Sequence, residues 1–477
     1  MEITSLNVVF ISLAAIFVYY ELNQQLRVLF LVALSGAFIA SYSFNLLAYV
    51  TGYALVVYGT GLWMGKSRFR KAIFISGLVF NLLQLILLKY VSFTFDPLFR
   101  LLNVGIDLSL IARYIVPIGV SFFTLQGIGY LVNLNMGWEQ PEKNFFHFLL
   151  YLIFYPRFLS GPIDRSNSFL PQLKVRQAFE MKNIISGLRL LLLGLFKKVV
   201  IANQLALWVH GSYEQMDSLD KFSWLLVVLV QPIYIYYDFA GYTDIAFGLA
   251  RTFGLELRPN FNRPFLAENV SNFWKRFHIS LASWFNDYVF TRTMFKVRKW
   301  GKNATTFALL VTWLLFGIWH GAGWNFMLLG LLQALAIYYE FRTRKWRSHW
   351  FGKLPGFLRV WSGRAFTYLF YSVSLVFFFS PDLHTTGQIF SRLFDLQGLL
   401  PYGVNAPNLL FVLCLALLFL CFEVLENDFN DSFRKLETFW FGSGIGRQAI
   451  RWAYYYILIF MVLAYNFNIQ EFIYFQF

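Results

Sequence analysis

The residue with the clearest capacity for chemistry is His320, which lies in the segment LLFGIWHGAGWNF. An imidazole titrates near neutral pH, so a histidine among apolar neighbours can act as a general base. Gly317, Gly321 and Gly323 surround it, and glycine lets a backbone or a substrate approach closely. The alternative is a structural histidine bonded to a neighbouring helix, and the local sequence alone favours neither interpretation.

A second histidine, His278, lies earlier in the chain, in NFWKRFHISLASWFNDYVF. Together with Lys275 and Arg276 it interrupts an apolar pattern that suits a helix at a membrane interface or along a cavity. Two interpretations stay open. The histidine belongs either to a reactive cavity or to an interfacial helix whose basic side chains reach toward water.

Two carboxylates, Asp238 and Asp244, stand among aromatic and apolar residues in YYDFAGYTDIAFGLARTFGLEL. Six positions apart, they share a helical face only if the helix is broken, and Gly241 is the candidate for that break. They would either line a pore and orient a ligand or bond to a base such as Arg251. The bonding role is slightly favoured.

Basic residues also fall in apolar surroundings upstream. Lys197 and Lys198 are adjacent and cannot both face lipid, so we expect them at an interface, with a cavity wall as the alternative. Arg157, Asp164 and Arg165 flank a Gly-Pro pair that breaks helical structure. That segment is either a simple connection or a place where basic side chains meet phosphate or carboxylate.

The composition says which elements must position these residues. The chain has 477 residues, of which 58% are hydrophobic, 21% aromatic and only 14% charged, with a mean hydropathy of +0.54. Soluble proteins carry about 25% charged residues. This composition excludes a disordered chain or a nucleic-acid-binding tail, and it makes an ordinary soluble enzyme a poor interpretation.

Apolar runs long enough for membrane helices recur along the chain. They lie near 5–20, 26–44, 46–63, 72–95, 110–134, 144–160, 184–209, 222–250, 304–340, 364–380, 407–424 and 450–468. The pattern predicts an all-α polytopic membrane protein with about 10–12 crossings, in which 304–340 supplies two short crossings or one crossing and a re-entrant piece. The first run follows Glu2 without a basic region, which favours a retained helix over a signal peptide.

The net charge of +15 is concentrated in clusters. One predicted loop carries Arg342, Arg344, Lys345, Arg347, Lys353, Arg359 and Arg364, and a shorter cluster carries Lys66, Arg68, Arg70 and Lys71. Basic loops tend to stay in the cytoplasm, and they can also attract anionic lipid or an anionic substrate. The sequence contains no phosphate-binding glycine loop, His-Glu zinc motif or serine elbow, so the usual ATPases and zinc or serine hydrolases are excluded.

Five segments, taken in order, resemble a known family. They are RFLSGPIDR, GLFKKVVIANQLA, YYDFAGYTDIAFGLARTFGLEL, NFNRPFLAENVSNFWKRFHISLASWFNDYVF and LLFGIWHGAGWNFMLLGLLQALA, and the closing FIYFQF agrees with them. The chain is similar to bacterial membrane-bound O-acyltransferases (MBOAT), in particular to the branch that includes the alginate O-acetylation membrane protein. The resemblance is dense over about 150–340, and residues 1–477 are interpreted as one MBOAT-type membrane domain.

The resemblance implies roles for the two histidines. His320, in the WHG motif, would be catalytic, and His278 would be the family's second characteristic position, with positioning as its favoured role. The family fold is a helical body around a central funnel or tunnel, which the acyl donor enters from the cytoplasm and the acceptor hydroxyl from the other side. The candidate substrate-binding residues are Asn272, Trp274, Arg276, Asp238, Asp244 and Trp319.

The resemblance also has a departure. Asn286 stands where the alginate branch usually carries arginine, and TRTMFKVRKWGKN replaces the usual Pro-Leu-Gly-Gly run. In this respect the chain is closer to the D-alanyl transfer proteins of teichoic acid synthesis, so donor and acceptor stay open. The basic segment 292–302 is either a docking site for a donor or carrier protein or, as we favour, a cytoplasmic loop rich in positive charge.

The predicted function is therefore an inner-membrane O-acyltransferase that moves an acetyl group from a cytoplasmic thioester, such as acetyl-CoA, to hydroxyls of an extracytoplasmic polysaccharide. The resemblance implies a periplasmic or membrane-anchored acetyltransferase as partner, membrane lipid as surroundings, and neither a bound cofactor nor a metal; no nucleic-acid partner is expected. One alternative is D-alanyl transfer from an acyl-carrier protein. Another is a transporter or export subunit without chemistry, against which the lack of an internal repeat counts modestly.

Overall fold

The computed structural model describes residues 3–90, 119–216, 219–394 and 409–466. These residues form helices joined by short connections, and the β-structure among them is an isolated bridge between Phe261 and Phe277. The predicted all-α class is therefore confirmed. The closing FIYFQF and parts of the predicted spans 72–95, 110–134, 407–424 and 450–468 lie outside the described residues.

The helices follow one another with short connections. In chain order they are α1 (Leu6–Glu21), α2 (Gln24–Ala40), α3 (Phe44–Lys66), α4 (Arg70–Lys89), α5 (Val120–Met136), α6 (Phe145–Ile153), α7 (Tyr155–Phe158), α8 (Ser166–Leu173), α9 (Met181–Leu195), α10 (Asn203–Glu214), α11 (Lys221–Thr252), α12 (Val270–Trp274), α13 (Ile279–Phe285), α14 (Thr291–Lys296), α15 (Lys302–His320), α16 (Trp324–Phe351), α17 (Gly356–Phe379), α18 (Leu383–Phe394), α19 (Leu409–Asp428), α20 (Asn430–Trp440) and α21 (Ile445–Tyr465). Two π-helical segments, Phe196–Ala202 and Asn286–Phe290, and two 3₁₀ turns, Pro264–Leu266 and Arg298–Trp300, complete the set.

Local sequence explains where the first helices begin. The side-chain oxygens of Ser5, Asn23 and Ser43 each accept a hydrogen bond from the backbone N–H three residues later. Such N-caps satisfy a donor that the first helical turn would otherwise leave without a partner.

Among the described helices, α3, α4, α11, α15 and α19 are long and apolar enough to cross a membrane. Two shorter apolar helices, α1 and α2, precede them. Together these helices make the chain a multi-pass membrane protein. The count of 10–12 crossings stays a prediction.

The chain divides into two compact units. The first consists of Met1–Leu191, Ile245–Pro259 and Ser283–Arg298, and within it α2 packs against α6 and α4 packs against α5. The second consists of Leu192–Asp244, Asn260–Ala282 and Lys299–Phe477. Within the second unit, α16 packs against both α15 and α17.

The apolar run 304–340 falls in two helices, α15 and α16, which are separated only by 321–323. The predicted basic loop beyond it is wrong. The helix α16 continues through Arg342, Arg344, Lys345 and Arg347, and α17 already contains Arg359 and Arg364. Arginine and lysine are good helix formers, so α16 does not end where its apolar character ends.

Two glycines bring α15 and α16 close together. A Cβ atom on Gly317 would collide with the backbone carbonyl of Phe326, and one on Gly330 would collide with that of Trp313. Helices in a membrane pack closely through such small residues. Because the obstacle is backbone in both cases, a larger side chain could be accommodated only if the helices moved apart.

We therefore expect Gly330→Ala to destabilise the protein by about 1–3 kcal/mol, the usual cost of overpacking. Thermal unfolding of the detergent-solubilised protein measures this change. Gly387 in α18 provides the matched control, because nothing lies within 4 Å of an added Cβ there. Equal unfolding temperatures for the Gly330→Ala and Gly387→Ala variants would contradict the proposed close contact.

Candidate active site

A small cavity in the second unit brings together residues from five helices. Its wall contains Ile235 of α11, Trp274 of α12, His320 of α15, Gln333 of α16 and Leu375 of α17. The cavity volume is about 20 Å³, which is room for roughly one water molecule. Most of the remaining wall is aromatic or aliphatic, so the cavity is an apolar space with a few polar groups.

His320 is the last residue of α15 and is only 6% exposed. Its Nδ1 lies 2.8 Å from the backbone carbonyl oxygen of Phe316. A carbonyl only accepts hydrogen bonds, so Nδ1 carries the proton and donates it. The lone pair of the neutral ring is then on Nε2, which leaves that nitrogen as the basic atom.

Trp274 and Gln333 are joined inside this cavity. The indole Nε1 of Trp274 donates a hydrogen bond of 3.0 Å to Oε1 of Gln333. Both side chains are buried, with Gln333 only 1% exposed. Sequence reasoning identified Trp274 and missed Gln333, because a single glutamine in the helical run LLGLLQALA carries no signal of its own.

His278 is fully buried and has an unusual backbone. Its φ of +47° makes it, with Arg263, one of two non-glycine residues in the left-handed region among those described. Such a conformation costs on the order of 1–3 kcal/mol and persists only where the surroundings hold it. The turn between α12 and α13 is held here by a hydrogen bond from Ile279 N to the Asn260 carbonyl oxygen, 2.9 Å long.

Asn260 also fixes the His278 ring. Its Oδ1 accepts hydrogen bonds from the backbone N and Oγ of Ser280, at 3.2 and 2.8 Å, and lies 3.1 Å from Nδ1 of His278. An oxygen that accepts these bonds requires a protonated Nδ1, so the lone pair of His278 is also on Nε2. His278 lies outside the five helices that are long and apolar enough to cross a membrane. Burial lowers the pKa of His278 well below its ordinary value, and the nearby His320 lowers it further.

Trp319 contacts both histidines. Its ring centroid lies 5.0 Å from that of His320 and 6.3 Å from that of His278. The two imidazoles therefore belong to one aromatic cluster, although only His320 contributes to the cavity wall.

A family model of the membrane-bound O-acyltransferases (MBOAT) matches residues 142–380, half of the chain. The chain belongs to the MBOAT family. The matched range includes both histidines and every residue of the cavity wall. The enzyme is accordingly an O-acyltransferase.

Three relatives illustrate the range of this family. A probable alginate O-acetylase (AlgI) of Pseudomonas syringae pv. tomato is 27% identical over 79% of this chain and 72% of that protein. A peptidoglycan O-acetyltransferase of Helicobacter pylori is 29% identical over 80% of this chain and 76% of its own length. A teichoic acid D-alanyltransferase of Bacillus subtilis is 30% identical, over 48% of this chain and 60% of that protein.

In this MBOAT chain the two acids of α11 form ion pairs. Asp238, which is fully buried, lies 2.5 Å from Nζ of Lys198, and Asp244 lies 2.7 Å from Nζ of Lys197. The geometry favours the bonding interpretation of these acids, with the lysines in place of Arg251. Lys198 is only 1% exposed, so Asp238 rather than water balances its charge, and its position at an interface stays a prediction.

Gly241 does not break α11, which is continuous from Lys221 to Thr252. It instead lets the π-helical segment that carries both lysines approach. A Cβ on Gly241 would lie 2.8 Å from the backbone nitrogen of Lys198 and 3.0 Å from the carbonyl oxygen of Gly194. This close approach allows the short lysine–aspartate contacts between the two helical segments.

The remaining predicted residues lie outside the cavity wall. Arg276 Nε donates a hydrogen bond of 3.1 Å to Oδ1 of Asn272, and both side chains are half-buried. Of the six candidate substrate-binding residues, Trp274 lines the cavity and Trp319 contacts both histidines. Within the described ranges, no three His, Cys, Asp or Glu side chains are placed to hold a metal ion.

The basic residues of the Gly-Pro segment belong to the first unit and meet carboxylates of the chain itself. Arg157 lies 3.2 Å from Asp164, and Arg165 lies 3.0 Å from Asp287. Both arginines are buried. The segment is thus held by two charged contacts.

Proposed function

We propose that this MBOAT protein transfers an acetyl group from a thioester to a hydroxyl of an extracytoplasmic polysaccharide, with His320 as the general base. The observation that carries the proposal is the fixed tautomer of His320. Its Nδ1 bonds to the Phe316 carbonyl, and its Nε2 is the basic atom of a residue in the cavity wall.

In this reaction Nε2 of His320 accepts the proton of the acceptor hydroxyl while the hydroxyl oxygen attacks the thioester carbonyl carbon. The C–S bond then breaks, and the proton passes to the departing thiolate. General-base catalysis of this kind contributes typically 10²–10⁴-fold to the rate. Trp319, packed against His320 and His278, supports the orientation of the reactive ring.

The character of the cavity supports acetyl over D-alanyl transfer. A D-alanyl group carries an ammonium, and burying a charge without a partner is very costly. The cavity is small, and carboxylates are absent from its wall, which lies wholly in described residues. An acetyl group carries no charge and therefore needs no such partner.

The donor, the membrane and the partner in this proposal are those that the family resemblance implies. The donor is a cytoplasmic thioester such as acetyl-CoA, the protein lies in the inner membrane, and a periplasmic or membrane-anchored acetyltransferase assists the final transfer. The named alginate and peptidoglycan O-acetylating relatives support a polysaccharide acceptor. Residues 1–477 act as one functional unit in this proposal.

The test is a comparison of ester-linked groups in the envelope and secreted polysaccharide of wild-type and deletion cells. Mild alkali releases the groups, and chromatography identifies acetate and D-alanine. We expect the deletion to lose acetate. Loss of D-alanine instead would move the protein to the carrier-fed reaction, and no change in any ester would overturn the proposal in favour of a transporter or a scaffold.

A further inference from the structure

We propose that Gln333 supplies the hydrogen bond that stabilises the oxyanion during acyl transfer. This inference rests on the proposed function and assigns a role that the motif histidines leave open. Within the described residues, Nε2 of Gln333 is buried and has no hydrogen-bond partner, and its side chain lines the same cavity as His320.

The orientation of the amide is fixed by its neighbour. The indole nitrogen of Trp274 can only donate, so the group 3.0 Å away on Gln333 must be the oxygen. The amide nitrogen, with two N–H groups, is therefore the end without a partner. A buried donor left in this state is costly, and an acyl oxygen in the cavity would satisfy it.

The amide donor of Gln333 and the base His320 occupy equivalent positions on their helices, each three residues after a contact glycine. His320 lies three residues after Gly317 on α15, and Gln333 lies three residues after Gly330 on α16. Residues three apart share a helical face, so each polar side chain follows the glycine that brings the two backbones together. In the apolar cavity, an N–H aimed at developing negative charge is worth far more than it is in water.

The acceptor oxygen forms a bond to the carbonyl carbon as Nε2 of His320 takes its proton, and the carbonyl electron pair moves onto the carbonyl oxygen. That oxyanion accepts the hydrogen bond from Nε2 of Gln333. When the pair returns, the C–S bond breaks, and the thiolate takes the proton from His320, giving an ester and a thiol.

Two substitutions separate this role from a purely structural one. Gln333→Met removes both the donor and the acceptor for Trp274, whereas Trp274→Phe removes the hydrogen bond between the two residues and keeps the amide donor of Gln333. We expect kcat to fall by about 10²–10³ in Gln333→Met, with little change in KM, since removing one oxyanion donor has this effect elsewhere. The loss in Trp274→Phe is expected to be clearly smaller. The assay measures thiol release from acetyl-CoA and ester formation by membrane vesicles, per molecule of protein.

Gln231→Met is the matched control. Gln231 is a second buried glutamine of the same unit, but its amide bonds to the Ser372 carbonyl and the Tyr213 hydroxyl, both at 2.8 Å. This variant is expected to lower stability and to keep kcat per folded molecule.

The possible outcomes separate a failure of the oxyanion role of Gln333 from a failure of the proposed acyl transfer. Equal losses of kcat in Trp274→Phe and Gln333→Met would show that Gln333 only anchors Trp274, and would overturn the oxyanion role. The same conclusion follows if both variants turn over normally while His320→Ala is inactive. Equal thiol release by wild type and His320→Ala would instead overturn the proposed function, and the role of Gln333 with it.

Discussion

Replacing His320 with alanine is expected to lower the rate of ester formation by about 10²–10⁴-fold, while the protein remains inserted in the membrane. The expectation follows from the loss of the basic Nε2 in the cavity wall, since general-base catalysis contributes by that factor. The measurement is ester-linked acetate per molecule of membrane protein, in cells that express the variant at the wild-type level.

Two further variants make this result specific. His320→Gln retains an amide donor for the Phe316 carbonyl but has no basic nitrogen, so a structural histidine would be rescued and a general base would not. His349→Ala removes an exposed histidine near the end of α16 and is expected to behave as wild type. Near-normal turnover in His320→Gln would contradict the assignment of His320 as the general base.

The largest effect on stability is expected from Lys198→Met. This change removes the ammonium that lies 2.5 Å from Asp238, a fully buried carboxylate. Breaking one partner of a buried ion pair costs about 3–5 kcal/mol, because the remaining charge is uncompensated. Thermal unfolding in detergent and abundance in the membrane both report the loss.

The neighbouring pair supplies the comparison. The side chains of Lys197 and Asp244 are 19% and 21% exposed, so water partly solvates the charge that remains after Lys197→Met. That variant is expected to lose clearly less stability than Lys198→Met. The double change Lys198→Met with Asp238→Leu is expected to recover much of the loss, since apolar replacement of a buried pair is often neutral. Equal losses in the single and double variants would refute the pairing argument.

The residues of the cavity wall that sequence reasoning found are those within motifs. His320 and Trp274 each sit in an unusual local pattern of glycines, aromatics and polar side chains, and both line the cavity. Gln333 and Asn260 were missed because their contacts join residues 59 and 18 positions apart. A polar residue gains such a role from what the fold places beside it, and a local pattern does not encode that neighbour.

The same limit explains why the partners of the charged residues stayed open in the sequence. Lys198 was expected at an interface because a lysine in an apolar run needs water or a partner. Its partner, Asp238, is 40 positions away, and the sequence did not indicate which base each acid would meet. The class of the fold could be predicted because apolar run length depends on local sequence alone.

The π-helical segment Phe196–Ala202 restricts where a residue can be deleted from the chain. In it the N–H of Asn203 donates to the carbonyl of Lys198, five residues back, where an α-helix would use Val199. The turn therefore holds one residue more than α geometry needs. Neighbouring side chains diverge less around such a wide turn, so Lys197 and Lys198 both reach acids of α11.

Deleting one residue from this segment would restore α spacing and rotate α10 by about 100° around its axis. His210, whose Nε2 lies 3.0 Å from the Tyr234 hydroxyl, would turn away from it, and one lysine would lose its acid. The extra residue of the π-helical turn, rather than the identity of any side chain, thus lets Lys197 and Lys198 both face α11. An aligned homologue with a single-residue gap at this point should lack one lysine or one of the acids facing it.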